Sequence, residues 1–259
     1  MSHLILVERS GPIATVTLNR PAKLNALTKA MWHELGSVVD ALSSDDTLRC
    51  VVLRGAGDRA FSPGNDISEF ATERGSKAQA IGYGRVMHAT ARSLASCRHP
   101  LVAQIHGICV GGGLEIAALC DIRICGESSR FGAPIKNLGL VMAYPEMAPL
   151  VRLAGADVAL EIVLEGRIFG AVEAKEKRLV TRVVPDADVA AEALATAQRI
   201  AEGAPLVARW HKKFARRLAA SRPLTPAEQD ECFDCFDTED FRLGYAAFLA
   251  KRKPEFVGR

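Results

Sequence analysis

Apolar and polar positions alternate along the chain in a pattern that predicts strands and helices in turn. Two short runs rich in β-branched residues, 4–8 and 13–18, flank a Ser-Gly-Pro turn signal and predict an antiparallel hairpin. Thr28 is expected to cap a helix whose apolar residues recur at helical spacing through Leu42. The continuous apolar run 50–54 is typical of a strand that is buried on both faces.

The alternation continues beyond this strand. After a loop containing Gly and Pro at 55–66, the pattern predicts a helix near 77–96, a strand at 101–105, a helix at 114–119 and a strand at 121–125. Strands and helices that follow one another in this way indicate the α/β class.

From about residue 157 onward the pattern is mostly helical. Only residues 180–184 are expected to form a strand. The stretches with helical spacing and high Ala content are 188–202, 205–221 and 226–250. Basic residues within 209–222 precede acidic residues within 228–240, so these helix faces are expected to complement each other within or between subunits.

The composition is that of an ordinary globular protein. Of 259 residues, 49% are apolar and 24% are charged, which excludes collagen-like, disordered and disulfide-stapled classes. The formal net charge is only +3, from 33 Lys and Arg against 30 Asp and Glu, so no nucleic-acid partner is expected. The 7 cysteines are scattered, as expected for reduced thiols in the cytoplasm. Cys232 and Cys235 are spaced like two metal ligands, but no second pair of ligand residues accompanies them, so no metal site is predicted.

No membrane partner is expected either. The most apolar region, 101–125, is interrupted by polar residues and glycines, and no run reaches the roughly 20 residues that a membrane-spanning helix needs. The N-terminus has no basic region followed by a long apolar stretch, so export is not predicted.

Glycines at 107 and 111–113 surround the start of the predicted helix 114–119. Backbone N–H groups there lack intrahelical partners and lie at the positive end of the helix dipole, which makes the cluster a candidate anion site. Its spacing matches neither Gly-x-Gly-x-x-Gly nor the P-loop, so an oxyanion is favoured over a nucleotide phosphate. The segment 60–70 has two interpretations: it presents a second N–H donor, or it is an ordinary loop leading into a helix.

Glu115 lies in the first turn of this otherwise apolar helix. A carboxylate is favoured at a helix N-terminus, whereas burial tends to raise its pKa. Glu115 is therefore a candidate general acid or base, the alternative being a glutamate that only complements the helix dipole.

Several short segments keep a specific order along the chain. They are Asn-Arg-Pro-Ala-Lys-Leu-Asn-Ala-Leu at 19–27, Ala-Phe-Ser-Pro-Gly-Asn-Asp-Ile at 60–67, Pro-Leu-Val-Ala-Gln-Ile-His-Gly at 100–107, Gly-Gly-Gly-Leu-Glu-Ile-Ala at 111–117, Cys-Asp-Ile at 120–122, Phe-Gly-Ala-Pro at 131–134, Leu-Gly-Leu at 138–140, Glu-Ala-Lys at 173–175 and Phe-Leu-Ala-Lys-Arg-Lys at 248–253. In order and spacing they resemble the crotonase family, also called the enoyl-CoA hydratase/isomerase family, over nearly the whole chain. The resemblance implies an α/β spiral core of ββα turns over 1–200 and a helical C-terminal oligomerisation region over 201–259. It also implies a homotrimer, commonly arranged as a dimer of trimers.

The resemblance further implies a substrate and the groups that bind it. The substrate would be an acyl-CoA thioester, so that CoA enters as part of the substrate and no separate cofactor is needed. The backbone N–H groups of Asn65 and Gly112 would bind the thioester oxygen. The residues implied to hold CoA are Lys23, Leu24, Ala26, Gly64, Asp66, Ile67 and Ser68. Lys251 matches a tail lysine that approaches CoA from a neighbouring subunit.

Hydratases of this family use two glutamates, and this chain matches only the first, at Glu115. The position of the second is Ile135, which carries no proton, so ordinary two-glutamate hydration is not expected. In the following loop, Glu146 lies three residues beyond the position at which isomerases of the family often place an acid. Glu146 either supplies the second carboxyl group or only begins a helix after Pro145, and Tyr144 is a further candidate proton donor.

Two functions remain open at this point. The first is a hydratase/isomerase-type enzyme that acts on an acyl-CoA thioester through an oxyanion hole, with Glu115 as general acid/base. The second is a non-catalytic acyl-CoA-binding paralogue, which Ile135 favours and Glu115 opposes.

Overall fold

The computed structural model describes residues 3–220 and 222–259, which form a mixed α/β fold. The strands are β1 (Ile5–Ser10), β2 (Ile13–Leu18), β3 (Cys50–Gly55), β4 (Ala60–Ser62), β5 (Leu101–Ile105), β6 (Ile108–Val110), β7 (Ile122–Gly126), β8 (Arg130–Gly132), β9 (Phe169–Gly170) and β10 (Arg182–Val184). The helices are α1 (Lys29–Ser44), α2 (Phe70–Glu73), α3 (Lys77–Ser96), α4 (Gly112–Leu119), α5 (Tyr144–Ala154), α6 (Ala156–Glu165), α7 (Ala171–Glu176), α8 (Val189–Ala201), α9 (Pro205–Leu218), α10 (Pro226–Asp230) and α11 (Glu239–Leu249).

The strands form two sheets, and from β3 to β8 the successive strands of the chain alternate between them. The larger sheet has the order β1-β2-β3-β5-β7-β10, and the smaller one has the order β4-β6-β8-β9. The pairs β3–β4, β5–β6 and β7–β8 each contribute one strand to each sheet before the chain turns into helical structure. This repetition of two strands and a helix confirms the predicted ββα spiral.

The larger sheet is covered on both faces. Val51 and Leu53 of β3 belong to the main core beside α1 and α3, whereas Cys50 and Val52 belong to a second cluster that includes Ala193 of α8. Neighbouring side chains of a strand point to opposite faces, so both faces of β3 are buried. The prediction from the continuous apolar run is therefore confirmed.

The C-terminal helices are held by charge pairs. Lys212 of α9 contacts Asp121 with 2.7 Å between Nζ and Oδ2, and Arg216 contacts the same carboxylate at 3.2 Å. Arg217 of α9 pairs with Glu228 of α10. The predicted complementarity of the basic and acidic helices is thus present within one chain. None of the helices over 3–220 and 222–259 is long and apolar enough to cross a membrane.

Several predicted elements differ from the structure. The predicted loop 55–66 contains β4, and the smaller sheet as a whole was not predicted because its strands are only 2 or 3 residues long. The single helical stretch expected at 226–250 is wrong, since α10 and α11 are separated by a 3₁₀ helix. Thr238 then caps α11 by accepting a hydrogen bond from the N–H of Phe241 at 3.0 Å.

Candidate active site

Two segments that lie about 40 positions apart in the sequence form one wall of a cleft. The N–H of Leu27 donates to the carbonyl oxygen of Gly64 at 2.8 Å, and the N–H of Asp66 donates to the carbonyl oxygen of Leu27 at 2.8 Å. Arg20 donates to the Asp66 carboxylate across 2.6 Å. The hydrogen bonds from Ser68, together with those from Arg20, lower the pKa of Asp66 to about 2. Asp66 therefore fastens these segments together as a carboxylate.

The backbone N–H groups of Asn65 and Gly112 border this cleft, and neither has a hydrogen-bond partner among the described residues. Gly112 is the first residue of α4, so its N–H has no acceptor within the helix. Gly64 makes the close approach possible: its φ is +96°, and a Cβ placed on it would lie 2.7 Å from the nitrogen of Gly112. Asn65 and Gly112, which the family resemblance implies as paired donors, both line this cleft.

Trp32, on α1, contacts both donor residues from the core side. Its Nε1 donates to Oδ1 of Asn65 at 2.7 Å, while Nδ2 of Asn65 lies 3.7 Å from Sδ of Met87. A Cβ on Gly112 would lie 3.0 Å from Cζ2 of the same indole. Trp32 is buried. The side chain of Asn65 is thus held by core residues while its backbone borders the cleft.

The cleft has a volume of about 420 Å³, a size that suits a small molecule or part of a larger one. Most of its lining is apolar. The apolar side chains are those of Ala26, Pro63, Ile67, Phe70, Val110, Pro134, Ile135, Leu138, Leu140 and Val141. The charged side chains are those of Asp66, Arg74, Glu115 and Glu146.

Glu115 lies in the first turn of α4 and faces the cleft. Burial, together with the negative charge of Glu146, raises the pKa of this carboxyl group to about 8, and the positive charge of Arg74 opposes the shift. Glu115 therefore retains a proton at neutral pH. Such a group can donate a proton and take it back near the working pH of most enzymes.

Glu146 lies in the first turn of α5 and lines the same cleft as Glu115. Its Oε2 accepts a hydrogen bond from the N–H of Ala143 at 3.0 Å, and its Oε1 lies 3.1 Å from Nε2 of His88. Glu146 therefore lies in the first turn of a helix, as one interpretation of the sequence held, and it also lines the cleft, as the other interpretation requires. Ile135 lines the cleft with an apolar side chain. Tyr144, the other candidate proton donor, is 94% exposed and does not line the cleft.

Of the residues implied to hold CoA, some line the cleft and others do not. Ala26, Asp66 and Ile67 line the cleft, and Gly64 packs directly behind it. Lys23, Leu24 and Ser68 belong to the adjoining turns and do not line it. Lys251 is exposed after the end of α11 and lies outside the cleft lining of its own chain.

Three residues at or around the cleft were not found by sequence reasoning. Arg74 lines it directly, His88 contacts Glu146, and Trp32, which the sequence assigned only to the apolar face of a helix, contacts Asn65 and Gly112. None of the three belongs to a motif. Trp32 and His88 become neighbours of the cleft only when α1 and α3 pack together.

Known proteins resemble this chain over nearly its whole length. The sequence profile of the family described as enoyl-CoA hydratase/isomerase matches residues 8–259. The probable enoyl-CoA hydratase echA8 of Mycobacterium tuberculosis is 35% identical over 257 residues, which cover 98% of each chain. The short-chain-enoyl-CoA hydratase of Clostridium acetobutylicum is 33% identical over 256 residues, which cover 97% of this chain and 96% of that relative.

Solved structures match over the whole chain. An enoyl-CoA hydratase/carnithine racemase from Magnetospirillum magneticum is 50% identical, with a TM-score of 0.98 and coverage of 100% of this chain and 97% of that one. An enoyl-CoA hydratase from Bacillus anthracis is 29% identical, with a TM-score of 0.92 and coverage of 99% and 100%. The sequence and the fold of the present chain together show that it belongs to the crotonase family, also called the enoyl-CoA hydratase/isomerase family.

Proposed function

We propose that this protein catalyses proton transfer at the α-carbon of an acyl-CoA thioester, as an enzyme of the hydratase/isomerase type. One observation carries the proposal: two carboxyl groups, those of Glu115 and Glu146, line the same cleft as the two unpartnered N–H groups of Asn65 and Gly112. The hydratase names of the relatives support the substrate class.

The two N–H groups supply the electrostatic part of the chemistry. When a proton leaves the α-carbon of a thioester, or when water adds to a 2-enoyl thioester, negative charge develops on the thioester oxygen. N–H donors fixed beforehand by Gly64 and Trp32 stabilise that charge without reorganising, and losing one such donor typically costs about 3–4 kcal/mol of the barrier reduction.

The two carboxyl groups supply the proton transfers. In hydration, Glu146 accepts a proton from water as the water oxygen bonds to the β-carbon, and Glu115 then protonates the α-carbon of the enolate. In isomerisation, one carboxylate removes a proton from the substrate and a carboxylic acid returns a proton to another carbon. Glu146 occupies the role that Ile135 cannot fill, and the raised pKa of Glu115 suits it to donate.

The test that separates an enzyme from a non-catalytic acyl-CoA-binding protein is solvent exchange. Wild-type protein incubated with butyryl-CoA in deuterium oxide is expected to incorporate deuterium at the α-carbon, as detected by mass spectrometry. Glu115→Gln should lower the exchange rate at least about 100-fold, whereas the exposed Glu127→Gln should not. Binding of butyryl-CoA with no exchange in the wild type would favour the binding protein.

Parallel assays with crotonyl-CoA and a 3-enoyl-CoA then distinguish hydration from double-bond isomerisation. Both reactions are expected to depend on Glu115. If Glu146→Gln leaves each reaction at the wild-type rate, the role given to Glu146 is wrong, even if the exchange result stands.

We further propose that the protein is a cytoplasmic homotrimer, or a dimer of such trimers, whose subunits meet through the C-terminal region. Large apolar side chains are exposed there, namely Phe233, Phe236, Phe241, Tyr245, Phe248 and Leu249. The ring of Phe241 lies 4.7 Å from that of Phe236 and 6.3 Å from that of Tyr245, and a cluster of exposed apolar side chains is usually an interaction site. Sedimentation of the wild type and of a Phe236→Asp, Phe248→Asp variant tests this: the wild type should sediment as three or six chains and the variant as fewer.

A further inference from the structure

Arg74 follows α2 directly and places a positive charge beside the candidate catalytic carboxyl groups. Its guanidinium carbon lies 4.7 Å from the ring centre of Phe70 and 5.1 Å from that of Tyr83. Among the described residues that line the cleft, it is the one cation. It lines the same cleft as Glu115 and Glu146.

No carboxylate within 3–220 and 222–259 forms a salt bridge with this guanidinium, and no acceptor there takes a hydrogen bond from it. Asp66, which also lines the cleft, accepts hydrogen bonds from Arg20 and Ser68. A cation stacked on aromatic faces still has the N–H groups along its edge free, and these bind a carboxylate in a planar, two-pronged arrangement. Because the cleft lining is mostly apolar, the hydrogen bonds between this guanidinium and a bound anion would be stronger than the same hydrogen bonds in water.

We propose that Arg74 selects acyl-CoA substrates whose acyl chain ends in a carboxylate. This inference rests on the proposed function, since it names the substrate class of the same cleft. A phosphate of CoA is the other anion that the substrate carries. The geometry favours the acyl end, because Arg74 and Glu115 line the same cleft of about 420 Å³, and the acyl carbons must lie in this cleft to reach Glu115 for proton transfer.

Equilibrium binding of two saturated ligands tests the proposal without requiring turnover. Glutaryl-CoA carries a terminal carboxylate, and pentanoyl-CoA has a methyl group at the corresponding position. Isothermal titration calorimetry on the wild type should give a Kd for glutaryl-CoA at least about tenfold lower than that for pentanoyl-CoA. Arg74→Met should reduce this ratio of Kd values at least about tenfold, and Arg74→Lys should retain part of it.

Arg85→Met is the matched control, because Arg85 is exposed on α3 and does not line the cleft. It should leave the ratio of the two Kd values at its wild-type value. A wild-type ratio near one would overturn the proposal, as would an equal weakening of both ligands by Arg74→Met, which would assign Arg74 to the CoA portion. A selective ratio without deuterium exchange would support the carboxylate site while refuting the proposed enzyme function.

Discussion

The indole Nε1 of Trp32 donates a hydrogen bond to Oδ1 of Asn65 across 2.7 Å, and the same indole packs against Gly112. One buried side chain thereby contacts both residues whose backbone N–H groups border the cleft. The relationship suggests that Trp32 positions these donors without touching substrate.

Replacing Trp32 by Phe is therefore expected to impair turnover more than binding. The substitution removes the hydrogen bond to Asn65 and leaves space beside Gly112, so that both donors are less well fixed. A small misplacement of such groups costs up to about 100-fold in rate, so kcat should fall about 10- to 100-fold while KM changes much less. Steady-state kinetics on the preferred acyl-CoA measures both.

Trp210→Phe is the control for this substitution, since Trp210 lies on α9 and does not line the cleft. Its kcat should remain at the wild-type value. If Trp32→Phe changed kcat and KM by equal factors, or changed only the unfolding temperature, Trp32 would be a core residue with no positioning role.

Gly64→Ala tests the approach of the two chain segments at the donors. The new Cβ would lie 2.7 Å from the nitrogen of Gly112, so the segments must separate and the two N–H groups can no longer converge. Loss of one donor costs about 100-fold or more in kcat. Gly57→Ala is a matched control, because Gly57 also has positive φ, +76°, but no atom of the described residues lies within 4 Å of the position that its Cβ would take. Similar kinetics for the two variants would show that the close approach is irrelevant.

Glu115→Gln should change the pH dependence of stability. The pKa of Glu115 is raised from 4.5 to about 8 in the folded state, so between these values the folded protein keeps a proton that the unfolded chain has released. The wild-type free energy of unfolding therefore falls as pH rises through this window, by up to about 1.4 kcal/mol per pH unit. The free energy of unfolding of Glu115→Gln does not fall in this way, so the variant should become more stable relative to the wild type as the pH increases.

Urea unfolding of wild type and variant at about pH 5 and about pH 8 measures that gain. Glu127→Gln, at an exposed position, should differ from the wild type by the same amount at both pH values. A constant difference for Glu115→Gln as well would contradict the raised pKa.

Asp121→Asn should loosen the attachment of α9 to the core. Asp121 accepts from the N–H of Leu101 at 2.7 Å and pairs with Lys212 and Arg216, and the side chain of Lys212 is only 6% exposed. Removing the carboxylate leaves a nearly buried ammonium group without its counter-charge, which should cost about 1–3 kcal/mol of unfolding free energy. Chemical unfolding compares it with Asp230→Asn, a change at an exposed position that should cost little. Equal stability of the two variants would refute the anchoring role.

Local sequence was enough to predict most of the larger sheet and its helices. The strand Ile13–Leu18, the helix Lys77–Ser96 and the strand Leu101–Ile105 have the predicted bounds, because a half-buried or fully buried element carries its own apolar periodicity. The smaller sheet was missed because strands of 2 or 3 residues contain no full period. Its pairing arises only from contacts between distant parts of the chain.

The same division applies to the cleft. The sequence by itself determined that Asn65, Gly112 and Glu115 belong to recognisable segments and that Ile135 stands where a second glutamate was expected. Only the tertiary structure decided that Glu146 faces the same cleft, that Arg74 adds a cation, and that Trp32 contacts both donor residues. These relationships depend on how α1 packs against α3 and how α3 and α5 pack against α4, and such long-range packing leaves no periodic signal in the sequence.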